Sequence, residues 1–297
     1  MNKNSIMTLL ASGLLLAAPA TSASAQAAKK AKAKQAACAK SAGQMLCRHP
    51  WRGKKVAYFG DSITDPNTIP GINLYWNYLQ QWLGITPFVY GVSGREWNDI
   101  PRQTEALHAE HGDDVDAILI LCGTNDFNNS VPIGQWYVET EDSVEAAVGK
   151  PKEMVLRRHR QFSMNPNTFC GRMNIAMSLL RQMYPTKQVV LLTPTHRAYF
   201  YGGDNNVQPD EMYQNAGGLY IDDYVKCVKE ASNVWSVPVI DLNGLSGLFP
   251  LTDAGAQLFN KKATDRLHPN EAGHARMAET IMYQLGALPC TFGFDNH

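Results

Sequence analysis

The sequence predicts an α/β protein, a three-layer α/β/α sandwich around a central five-stranded parallel sheet. Three observations point there. Short apolar runs with strand character alternate with helix-periodic segments along the chain. One run, Ala117-Ile118-Leu119-Ile120-Leu121, is apolar at every position, as suits a strand covered on both faces. The chemically notable residues fall just past the runs, at the carboxyl ends where open parallel sheets carry their sites.

Residues 1–25 stand outside this fold. Lys3 gives a basic start, residues 6–20 are apolar, and Ala23-Ser24-Ala25 is a small-residue cleavage site. This is the form of a cleavable secretory signal, and it predicts a secreted or periplasmic protein. The apolar run is short for a membrane span. Residues 26–50, Ala/Lys-rich at first, read as a disordered basic leader. Residues 51–297 are the expected folded domain, long enough for one full core.

The first strand is Val56-Ala57-Tyr58-Phe59. Tyr75, Tyr78, Leu79, Trp82 and Leu83 then share one helical face, and Gly84 stops that helix. Phe88-Val89-Tyr90 is the second strand and residues 117–121 the third. A helix over 169–183 precedes the fourth strand, Val189-Val190-Leu191-Leu192. A helix over 221–232 precedes the fifth, Val239-Ile240-Asp241-Leu242. Asn270 caps a last helix with a stripe of Met277, Ile281 and Leu285. Two connections are long, 127–167 and 243–263. They read either as lids or binding walls or as surface insertions without a role, and Trp136 to Thr140 as part of a small hairpin.

Composition excludes several classes. Lys plus Arg equals Asp plus Glu at 27 each, so no nucleic-acid partner is expected. No further long apolar segment follows residue 25, so no membrane span is expected in the mature chain. The cysteines (Cys38, Cys47, Cys122, Cys170, Cys227, Cys290) form no CxxC pair and no zinc-type cluster with histidine, so no metal is expected. Cys122, inside the apolar third strand, reads as a free buried thiol. Export permits disulfides among the other five, but their spacing chooses no pairing.

Four blocks at strand ends carry the chemistry: Gly60-Asp61-Ser62, Gly91-Val92-Ser93-Gly94, Gly123-Thr124-Asn125-Asp126 and Asp265-Arg266-Leu267-His268. A serine, an imidazole and an orienting carboxylate are the parts needed to attack an acyl carbonyl at neutral pH. Ser62 is the candidate nucleophile, His268 the base, and Asp265 the group that holds the imidazole tautomer.

These blocks, in this order, resemble the SGNH hydrolases, also called GDSL-type esterases, from about residue 55 to 285. The sequence departs at Ile63-Thr64, where the family name has leucine after the serine, which bears on subfamily and not on chemistry. The resemblance implies a flavodoxin-like fold and an esterase that needs no cofactor. It also implies an oxyanion hole made by the main-chain N–H groups of Ser62 and Gly94 and the side-chain amide of Asn125. The shallow cleft of the family favours small acyl groups. With export, that implies an O-acetylesterase acting on carbohydrate. The alternatives are a lipid esterase of the lysophospholipase or platelet-activating-factor-acetylhydrolase kind, and a glycan-binding member without catalysis.

Each residue has a second reading. Ser62 alone is also a helix cap, Gly94 also a turn glycine, and Asn125 and Asp126 also Asx-turn residues. His274 competes with His268 but falls inside the last helix. Thr195-His196-Arg197 follows the fourth strand at the same end of the sheet, so His196 and Arg197 are candidate substrate contacts. Arg197 suits an acidic sugar or phosphate. Trp97 either stacks on a sugar ring or is an ordinary wall residue.

Overall fold

The computed structural model describes residues 26, 29, 30, 48–290 and 292. The expected signal segment, most of the leader, Cys38 and Cys47 lie outside them. Within residues 1–45, Gln26, Lys29 and Lys30 are helical and exposed. Residues 46–297 form a separate unit. Among its described residues packing begins at His49, inside the segment expected to be leader, with Nε2 2.9 Å from the Met282 carbonyl. Trp51 beside it is fully buried.

The expected sheet is present. Strands β1 (Lys55–Gly60), β2 (Thr86–Val89), β3 (Ala117–Leu121), β6 (Gln188–Leu192) and β9 (Val239–Ile240) are all parallel, in the order β2-β1-β3-β6-β9. This is the flavodoxin-like order. β3 lies between β1 and β6 and is buried along its whole length, which explains its unbroken apolar run.

Helices cover both faces. On one side α1 (Tyr75–Leu83), the short α6 (Leu242–Leu245) and α7 (Glu271–Ala287) share a core with Val56, Tyr58, Leu119 and Leu192. On the other, α2 (Ile100–His111), α4 (Phe169–Met183) and α5 (Ile221–Trp235) pack over Ala57, Phe59, Ile118 and Leu191. The odd and even residues of β1 and β3 thus feed separate cores, as the two-residue strand period requires. The Asn270 side chain accepts from Gly273 N and caps α7 as expected.

Three features were not legible in the sequence. α2 is too polar to show a clear stripe, burying only Ile100, Gln103, Thr104 and Leu107. A four-stranded sheet forms from β7 (Phe200–Tyr201), β8 (Val207–Gln208), β10 (Phe259–Lys261) and β11 (Asp265–Pro269). It joins two short hairpins through the pairing of Asp265 with Phe200, far apart in the chain, which local patterning does not reveal.

The third is the size of the hairpin of β4 (Tyr137–Ala146) and β5 (Glu153–Phe162), which pair antiparallel from Tyr137↔Phe162 to Ala146↔Glu153. The ribbon is exposed and charged, with Arg158 3.3 Å from Glu139 and Lys152 2.9 Å from Glu145. Its base is anchored to α4 and α5. Phe162 stacks on Trp235 at 4.3 Å, and the Asn174 amide donates to the carbonyls of Trp136 and Ser163.

Candidate active site

β1 ends in a tight turn at the mouth of the sheet. Gly60 has φ +155°, and a Cβ there would meet the Leu121 carbonyl oxygen at 2.3 Å. Only glycine lets the strand leave the sheet at this point. The amide of Gln103, buried on α2, grips the same residue through both of its backbone groups: Oε1 accepts from Gly60 N at 2.9 Å and Nε2 donates to Gly60 O at 3.0 Å. Residues 61–64 then form a turn, with Thr64 N and Asp65 N both donating to Asp61 O. The next helix begins only at Tyr75, so Ser62 caps nothing.

Ser62, His268 and Asp265 meet across more than 200 residues of chain. Ser62 Oγ is 3.0 Å from His268 Nε2. His268 Nδ1 lies 3.0 Å and 3.1 Å from the two Asp265 carboxylate oxygens. Nδ1 facing a carboxylate must carry the proton, which leaves Nε2 as the acceptor for the serine hydroxyl. Both partners of the pair sit on β11, where Asp265 Oδ1 also accepts the main-chain N–H of Leu267 and His268.

Asn260, at the end of the 243–263 connection, donates to Asp265 Oδ2 at 2.8 Å. That connection therefore supports the acid. Burial pushes the Asp265 carboxyl up, but hydrogen bonds from the His268 imidazole, Asn260 and the His268 main chain outweigh it and hold it below the usual carboxylate range. Phe200, on the strand paired to β11, packs edge-on against the His268 ring at 5.1 Å.

The loop after β2 is tied down at alternate residues. Asp65 accepts from Ser93 N at 2.9 Å and Ser93 Oγ at 3.0 Å. Asn125 Nδ2 donates to the Arg95 carbonyl at 2.9 Å. Asp126 Oδ2 accepts from Trp97 N at 3.1 Å. Between the first two ties stands Gly94 with φ +79°, and a Cβ there would meet nothing within 4 Å. The glycine is thus needed for the backbone turn, and space is left open in front of it.

Among the described residues, the N–H groups of Ser62 and Gly94 donate to no protein acceptor. Asn125 keeps one amide hydrogen after its bond to Arg95. An oxyanion requires unpaired donors, and these three groups have donor hydrogens to spare.

Asp126 is a buried anchor and not an exposed Asx-turn residue. Besides Trp97 N it accepts from Arg172 at 2.9 Å, and Arg172 also meets Glu96 at 2.7 Å. Burial pushes Asp126 up to about 7 against these bonds. Asp61 is likewise pushed up by burial, to about 6, against the Ile63 N–H and the charges of His268 and Arg197.

Two expected substrate contacts are corrected. Trp97 is fully buried, donates to the Cys122 carbonyl and stands edge-on to Phe169. Its indole belongs to the core. Arg197 is buried at 1% exposure, bound to Thr124, Asn128 and Gln208, with its guanidinium over Phe127 at 5.3 Å. It ties the segment after β6 to α3 (Thr124–Asn128), the short helix that carries Asn125.

His196 stays partly exposed beside Phe249. Its bond to Glu211 at 2.6 Å raises it above the ordinary histidine value. His274 is buried in α7 and stacked on Tyr75. Burial lowers it to about 3, so it stays neutral and structural. Cys122 is a buried free thiol, as expected. No helix of the described residues is long and apolar enough to cross a membrane, and they contain no metal-binding group of His, Cys, Asp and Glu.

The profile of the GDSL-like lipase/acylhydrolase family matches residues 58–276. The chain belongs to that family. It is therefore a carboxylic ester hydrolase of the SGNH type. No curated protein matches the chain. Among solved structures, a protein from Lactobacillus plantarum is similar at 22% identity and TM-score 0.61, covering 79% of this chain and 97% of its own. A possible lipase from Chitinophaga pinensis is similar at 19% identity and TM-score 0.58, covering 79% and 100%. A catalytic mutant of Axe2, an acetylxylan esterase from Geobacillus stearothermophilus, gives 21% identity and TM-score 0.48 over 79% and 95%. For the first two, at these identities, the likeness is one of fold.

Proposed function

We propose that this protein is an exported serine esterase that removes small acyl groups, acetyl first among them, from carbohydrates. The single observation that carries the reading is the relay from Asp265 through His268 to Ser62, with contacts of 3.0 Å at each step. As Ser62 Oγ attacks the acyl carbon, His268 Nε2 takes its proton. Asp265 stabilises the imidazolium that forms. The carbonyl oxygen becomes an oxyanion held by Ser62 N, Gly94 N and Asn125 Nδ2. Collapse expels the sugar alcohol, which takes the proton back from His268. Water, activated by the same imidazole, then releases the acid from Ser62.

Two features support a sugar ester over a fatty one. Tyr199 and Tyr201 stand exposed on the segment that packs against His268, and an amphipathic phenol suits the mixed surface of a sugar ring. The 137–162 ribbon is charged and anchored to α4 and α5, so it adds no apolar wall for a long acyl chain. Lys3, the apolar residues 6–20 and Ala23-Ser24-Ala25 support export.

The test is hydrolysis of p-nitrophenyl acetate, butyrate and octanoate by the mature chain and by Ser62→Ala. Acetate is expected to be preferred, and the variant to lose at least about 10⁴-fold in kcat/KM. A preference for octanoate would move the assignment to the lipid esterase. Failure of Ser62 to label with a fluorophosphonate, together with equal background rates, would make the chain a binding protein.

A further inference from the structure

Two buried thiols play no part in the chemistry above. Cys170 is the second residue of α4 and Cys227 the seventh of α5, and both are buried at 2% exposure. Both are free thiols in the structure, and their sulfurs lie 3.1 Å apart, inside the optimal separation of non-bonded heavy atoms. A covalent S–S bond is about 2.05 Å long, so about 1 Å of side-chain rotation separates contact from bond. We propose that Cys170 and Cys227 are joined by a disulfide that fastens α4 to α5 in the mature protein.

The other described cysteines are placed differently. Cys122 lies 3.9 Å from the Arg95 carbonyl, and Cys290 lies 3.1 Å from the Phe292 carbonyl. Neither has a second sulfur as neighbour among the described residues.

The oxidant is a disulfide of the thiol–disulfide exchange class, protein-borne or low-molecular-weight. The thiolate of one cysteine attacks a sulfur of the oxidant and expels one oxidant thiol, leaving a mixed disulfide. The thiolate of the other cysteine then attacks the protein sulfur and expels the second oxidant thiol. Two electrons pass from the cysteines to the oxidant, and the two cysteine protons end on its two thiols. Cellular supply of this oxidant rests on the proposed export; the geometry does not. Exchange belongs to folding, before α4 and α5 close. In the closed core the Cys170 thiol and burial push Cys227 well up, which disfavours its thiolate.

The link closes a loop between positions 57 apart. It also fixes the start of α4 two residues before Arg172, which bridges Glu96 and Asp126 beside the oxyanion loop. The test refolds the mature chain in a buffer of reduced and oxidised glutathione, and in parallel with reductant only. Remaining thiols are blocked, and the protein is digested without reductant. Mass spectrometry is expected to find the Cys170 and Cys227 peptides joined, two hydrogens lighter than their sum. The oxidised wild type is expected to melt about 10 °C above the reduced form. The double variant Cys170→Ala/Cys227→Ala is expected to show no such gap. Recovery of both cysteines as blocked thiols, a link from either to Cys38, Cys47 or Cys290, or equal melting of the two wild-type forms would overturn the proposal.

Discussion

Ser62 and Asn125 serve different parts of one proposed step, and substitution separates them. Ser62 forms the bond. Asn125 lends one amide hydrogen to the charge that develops on the carbonyl oxygen, while its other bond holds the Arg95 carbonyl. Asn125→Ala is therefore expected to lower kcat by roughly 10²–10³-fold with little change in KM. Steady-state kinetics on p-nitrophenyl acetate would check this; a loss confined to KM would remove Asn125 from the oxyanion hole. At this scale the trio that the fold brings together, Ser62, His268 and Asp265, was legible, because few residue sets combine those groups in that order. Trp97 and Arg197 were not. A polar or aromatic side chain near a strand end reads the same in sequence whether it faces the cleft or the core. Here Trp97 fills space against Phe169, and Arg197 finds neutral acceptors inside the protein.

The elements hold these atoms in place by a few long-range ties. The Ser93–Trp97 loop hangs from Asp65, Asn125 and Asp126, and Arg172 on α4 holds Asp126 and Glu96 together. Removing Arg172 leaves two carboxylates in a poorly solvated site. Breaking such a pair typically costs about 3–5 kcal/mol. Arg172→Ala is expected to lose stability on that scale in urea unfolding. It is also expected to lower kcat on the order of 10–10²-fold through misplacement of the loop. Arg172→Lys, which keeps the charge but loses the planar fork, should recover part of the stability and less of the rate. Equal recovery of both would make the role structural alone. The central strands, α1, α4 and α7 were legible from apolar periodicity. α2 was not, since its key buried residue is a glutamine whose partner, Gly60, is 43 positions away. The long connection after β3 was legible as an insertion but not in its direction, which is set by the Phe162–Trp235 stack.

Across the whole molecule, buried titratable groups pull stability in opposite directions with pH. His274 is held at about 3 in the fold, below its ordinary 6.5. As pH falls from 6.5 towards 3, the unfolded chain binds a proton that the folded chain refuses. This contribution is complete above 6.5 and is lost at about 1.4 kcal/mol per pH unit on acidification. Asp61, at about 6, and Asp126, at about 7, act the other way. The folded chain keeps their protons longer, so their contribution is present below the ordinary carboxylate range and is lost as pH rises through 6 and 7. Comparing wild type with His274→Phe isolates the first effect. Between pH 6.5 and 4.5 the stability difference from denaturant unfolding is expected to move in favour of the variant by about 1.4 kcal/mol per unit. A difference independent of pH would mean that His274 is protonated in the fold.

By itself the sequence determined the strand and helix alternation, the parallel sheet that follows from it, and the four blocks, of which three lie at its carboxyl edge and the fourth on β11 of the second sheet. These are written in short-range periodicity and in residue types with few alternative uses. The tertiary structure decided which neighbouring side chains face the cleft, and which distant ones hold the blocks in place. Gln103, Asp126 and Arg172 act through hydrogen bonds or ion pairs with partners elsewhere in the chain. Such contacts depend on how elements pack, and packing leaves no local signature in the order of the residues.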